Sequence, residues 1–124
     1  MPNNRIKYQV AEVIIPNGDN AKELKFNLDS NFEKCVGFGI PAPLNTANAI
    51  HTTPFFVSVV DGIDSIQDRT PGEDFLFTPS VPASDRYKKA DFPAKGKLLT
   101  LKVDTDGVAV GADFKVKVIF QLQN

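Results

Sequence analysis

The chain has no tryptophan, two tyrosines, one histidine and one cysteine in 124 residues, and each shortage removes a class of explanation. A lone cysteine, Cys35, rules out an internal disulfide, so the fold rests on a core. A lone histidine, His51, leaves Ser-His-Asp or Cys-His chemistry a single choice of base, and no nucleophile-elbow pattern surrounds it. Cys35 is therefore expected as a small residue on a strand, and His51 as a loop side chain beside Thr52 and Thr53. Missing tryptophan removes the ring on which sugar sites usually stack, which counts against a carbohydrate module. A net charge of -1 gives no global pull toward nucleic acid or anionic lipid. No apolar run approaches membrane-spanning length, and Met1-Pro2-Asn3-Asn4-Arg5 contains no apolar core for a signal peptide. The expectation is a cytoplasmic, soluble protein with no cofactor, no membrane partner and no enzymatic activity.

Ten phenylalanines are present, and a ring with no polar handle belongs mostly inside a core. A chain of this length is one domain, 1–124, and can bury roughly two-thirds of its unfolded surface. Apolar and polar residues alternate at period two through much of it. Leu24, Phe26 and Leu28 share one face, then Asp29-Ser30-Asn31 breaks the pattern, then Phe32, Val36, Phe38 and Ile40 share another, with Lys34 out of phase. The pattern predicts a β-hairpin over Leu24 to Ile40 with one buried face.

Other strands are expected over Arg5 to Ile15, where Ile6, Tyr8 and Val10 alternate with Lys7 and Gln9, and over Phe55 to Val60. Shorter ones are expected at Phe75 to Phe77 and, on an edge, at Tyr87 to Phe92. Lys97 to Asp104 and Asp113 to Gln123 give the clearest alternation. Asn17-Gly18 and Asp106-Gly107 are turn signals. Pro41 to Pro54 is a long connection, and Asp61 to Gly72 reads as a polar loop. About eight strands and no ordinary helix predict an all-β antiparallel sandwich, with a jelly roll preferred and a barrel as the alternative.

Three clusters invite a chemical reading. Asp61, Asp64, Asp68, Glu73 and Asp74 supply oxygens that calcium takes, but their spacing is not that of an EF-hand, and a solvated loop is the favoured reading. From Arg86 to Lys117 eight bases face four acids, which raises an OB-like single-stranded nucleic-acid platform near Tyr87 and Phe92. Phe114, however, is in phase with a buried face, and outward lysines are ordinary on sheets. Gly37-Phe38-Gly39 lacks the lysine and helix of a phosphate loop, and predicts a bulge or close backbone approach.

The segment Leu28-Asp29, a polar turn, then a strand ending Val36-Gly37-Phe38-Gly39-Ile40 resembles a pattern in small jelly-roll-like structural proteins of bacterial virus particles. The resemblance implies a capsid vertex, decoration or spike subunit, a homo-oligomer or part of a larger assembly of protein subunits, located in the virion after assembly in the host cytoplasm. Such proteins act through surfaces, and the apolar residues available for an interface are Leu44, Ile50, Phe55, Phe56 and Ile119. A carbohydrate-binding module and an OB-like nucleic-acid binder stand as alternatives.

Overall fold

β-branched and aromatic residues at period two make strands wherever turn residues bound them. A computed structural model describes residues 5–41, 54–62, 64–77, 82, 86–111 and 113–124. Among these lie nine strands: β1 (Ile6–Ile15), β2 (Ala21–Asn27), β3 (Lys34–Pro41), β4 (Phe56–Asp61), β5 (Asp64–Pro71), β6 (Leu76–Phe77), β7 (Lys88–Pro93), β8 (Leu98–Asp104) and β9 (Phe114–Gln123). Among the described residues a single 3-10 turn, Gly72–Phe75, precedes β6. Among the described residues no helix is long and apolar enough to cross a membrane.

The strands form two packed sheets. One runs β1-β9-β3, with β7 on the far side of β3 and the two residues of β6 pairing with the end of β3. The other runs β2-β8-β4-β5. The antiparallel partners are β1 with β9, β2 with β8, β3 with β7 and β4 with β5, each pair nested inside the one before. A long hairpin rolled so that successive strands fall alternately in two sheets is a jelly roll. The sheets stay open, so the barrel alternative is excluded.

The core is what the alternation promised for the later strands. Phe114, Val116, Val118, Phe120 and Leu122 of β9 are buried, as are Leu99, Leu101 and Val103 of β8. Phe26 meets Phe120 across the two sheets at 5.3 Å between ring centres, and Phe55 meets Phe114 edge-on at 5.3 Å. Each such ring contributes about 2–3 kcal/mol of burial.

Two expectations are corrected. Leu24 to Ile40 is not a hairpin: β2 pairs with β8 and β3 with β9, in opposite sheets. Both arms do have one apolar face, but the faces meet across the core instead of lying side by side. Period two alone does not separate those arrangements. The connection is fixed by backbone partners: Leu28 N–H donates to the Lys97 carbonyl (2.9 Å), and Lys95 N–H to the Phe32 carbonyl (2.9 Å). Second, Asp61 to Gly72 is largely strand, β5, whose two register shifts against β4 erase the alternation that marks a strand. The bulge that Gly37-Phe38-Gly39 predicted is present between Cys35 and Gly37, and it accounts for Lys34, which is in phase with the rest of β3 once the bulge is counted. Val36 is the extra residue there, so Cys35 and Phe38 both point inward.

Candidate interaction surface

β1 carries apolar residues in two phases. From Ala11 onward the odd positions, Ala11, Val13 and Ile15, are buried in the core. The even positions Ile6, Tyr8, Val10 and Ile14 point outward and are 50%, 50%, 55% and 37% exposed. Only six large hydrophobic residues are exposed among the described residues, and these four lie on one face of one strand. The first half of β1 overshoots the core, which explains its polar inward positions. Lys7 reaches Asp29 at 2.5 Å, and the Gln9 amide donates to the Asn27 carbonyl and accepts from Asp29 N–H, both at 2.9 Å.

The register extends this strip onto β9. Val10 sits opposite Ile119, Tyr8 opposite Gln121, and Glu12 opposite Lys117 with 3.9 Å between charges. Beyond β9 the outer surface of β3 is glycine. A Cβ on Gly39 would stand 2.8 Å from the Arg86 carbonyl and 3.2 Å from the Tyr87 ring, so the bare backbone lets Tyr87 lie against the sheet. Tyr87 stacks on Tyr8 at 5.5 Å and tilts against Phe77 at 5.4 Å. Burial raises the Tyr87 hydroxyl above its ordinary pKa of 10.0, with Tyr8 adding to the effect.

The opposite sheet presents a different face. A shallow depression of about 550 Å³ is lined by Asp19, Glu23, Ser58, Arg69, Lys102 and Asp104, among others, with no aromatic side chain. Its charges are matched: Arg69 bonds Asp104 at 2.7 Å and Asp106 at 2.9 Å while lying 3.9 Å above the Phe56 ring, and Lys102 faces Glu23 at 3.9 Å. The Arg69 hydrogen bond holds Asp104 below the ordinary carboxylate value of 3.8, against a desolvation that pushes it up.

The residues chosen from sequence fall in three places. Leu44, Ile50 and His51 lie outside the described residues. Phe55 is removed from the candidate surface: it is buried against Phe114, and its ring fills the space a Cβ on Gly72 would need. Phe56 is half-buried under Arg69, and Ile119 is half-buried within the outer strip. Sequence reading missed Ile6, Tyr8, Val10 and Ile14 as surface. The usable signal was that Ile6, Tyr8 and Val10 fall out of phase with Val13 and Ile15 on a strand without Gly or Pro.

The other clusters disperse. Cys35 is fully buried, its thiol pushed up to about 11 by desolvation, so it is a thiol and not a thiolate near neutral pH. Lys115 and Lys117 belong to one sheet and Lys102 to the other, while Lys97, just before β8, bonds Asp61 at 2.7 Å. The basic run therefore does not make one platform. Among the described residues no group of three or more His, Cys, Asp or Glu side chains is placed to hold a metal ion.

Fold and surface together define a jelly-roll sandwich with one apolar outer strip. No family model matches the chain, and the search of curated proteins finds no match to it.

Proposed function

We propose that the chain is a non-enzymatic assembly protein, a virion subunit of the vertex, decoration or spike kind, acting through protein–protein contacts on the outer face of β1 and β9. The observation that carries this reading is the gathering of Ile6, Tyr8, Val10 and Ile14 on one strand face, continued by Ile119. Contiguous exposed apolar surface marks interaction sites, because leaving it in water forgoes roughly 25 cal/mol for every Å² that a partner would cover. Jelly-roll connectivity and the viral resemblance of Leu28 to Ile40 support the virion setting. A carbohydrate-binding module would use the depression on the other sheet, where paired charges and the lack of a stacking ring favour it less.

The test is peptide mass spectrometry and electron microscopy of virus particles purified from the chain's native source. The chain is expected as a structural component of fixed copy number. Intact particles that never contain it would overturn the reading.

A further inference from the structure

The four sheet edges are not treated alike. β2 exposes Lys22, Glu23 and Lys25; β5 has two register shifts; β7 exposes Lys88, Lys89 and Asp91 and ends in Pro93. Charge, irregularity and proline are the devices that keep strand edges from pairing. At its centre β1 carries a single charge, Glu12, which faces Lys117 of β9 at 3.9 Å. Ten consecutive residues pair with β9 without a shift, none is Gly or Pro, and the single lysine, Lys7, is engaged by Asp29. Among the described residues no strand occupies its second edge.

The direction of the backbone groups on that edge follows from the pairing. Asn124 N–H donates to the Arg5 carbonyl at 3.4 Å, continuing the ladder in which Ile6 faces Gln123. Antiparallel pairs alternate between bonded and non-bonded, so the odd residues of β1 spend their N–H and C=O on β9. The even residues, Ile6, Tyr8, Val10, Glu12 and Ile14, turn theirs to the free edge. This set is nearly symmetric about Val10.

Building on the assembly reading above, we infer that a second copy of this chain binds there: two β1 strands pair antiparallel about a two-fold axis at Val10, joining two five-stranded sheets into one. Ile6 then faces Ile14 of the second copy, Tyr8 faces Glu12, and Val10 faces its own counterpart. All five pairs are of the hydrogen-bonded kind, which is what the free backbone groups require. The outer strips merge into one apolar surface. A two-fold contact is self-complementary by definition, and the near-zero net charge of -1 does not oppose it.

The experiment is light scattering and sedimentation equilibrium of the full chain over a wide concentration range, with a phased proline scan. The expected mass is twice 13.6 kDa. Val10→Pro removes an N–H that points away from β9, so it should leave the fold intact and abolish the dimer. Ala11→Pro removes one that bonds β9 and should unfold the chain. Val10→Lys is the second variant, expected to weaken the dimer about a hundredfold or more while circular dichroism stays unchanged. A short bis-maleimide should cross-link Val10→Cys to itself and leave Ile14→Cys single, since the buried Cys35 does not react. A wild-type monomer, or a dimer indifferent to Val10→Lys and Val10→Pro, overturns the inference. Either result leaves the virion reading standing if the chain is still found in particles.

Discussion

Gly72 shows how tightly the core specifies single positions. Its N–H donates to the Phe55 carbonyl at 2.7 Å, and an added Cβ would fall 2.1 Å from the Phe55 ring, which itself is wedged against Phe114. Gly72→Ala should therefore destabilise the chain by about 1–3 kcal/mol, the usual cost of overpacking, read as a lower urea midpoint. Thr105, the one buried polar residue among those described, has its hydroxyl in reach of the Val108 carbonyl of its own turn and of the distant Asn20 carbonyl. Residue identity in the core was legible from sequence, since the apolar phase of β8 and β9 passed unchanged into burial. What Gly72 does was not, because its constraint comes from a ring seventeen positions away that only the folded chain brings near.

Elements differ in how far their pattern reports their place. β9 and β8 are central, with one face on the core, and their alternation said so. β5 lies at an edge with polar residues on both faces and two bulges, so nothing local distinguished it from a loop. What secures β5 instead is a long-range clamp: Arg69 of β5 bonds Asp104 of β8 and Asp106 of the following turn. That clamp carries a pH dependence. The folded Asp104 titrates below its ordinary value of 3.8, as does Asp29 under the hydrogen bond from Lys7. A depressed folded pKa adds stability in full above the unfolded value and loses it as pH falls through the folded one. The urea midpoint should therefore fall from pH 5 toward pH 3, and Asp104→Asn should flatten that fall. An unchanged acid limb in Asp104→Asn would exclude the clamp as its source. β1 shows the opposite failure of legibility. Its period two was plain, but two apolar phases coexist on one strand, and sequence alone does not tell which meets the core.

For the whole molecule, sandwich architecture followed from many short strands, absent helices and one domain's length. Strand order did not, because Leu24 to Ile40 looks the same whether its arms pair or face each other. Nested pairing also sets the folding problem. Among the described residues every strand pairing except β4 with β5 joins distant parts of the chain, and closing long loops before contacts repay them is slow.

The hydrogen bond from Asn124 to Arg5 makes the two described ends of the chain neighbours on β1 and β9. Joined there by a short linker, the nine strands would become a ring, and a ring of nested pairs has no innermost hairpin. Reopening it at the β4–β5 turn, where Gly62 has a φ of +60°, would turn the order inside out. β9 and β1 would become the local pair, and β4 with β5 the last to close. A circular permutant of this design should reach the same two sheets, checked by circular dichroism and by burial of Cys35 from thiol reagents. A permutant that fails to fold would mean that assembly must begin at β4 and β5, fixing a direction on a topology that is otherwise reversible.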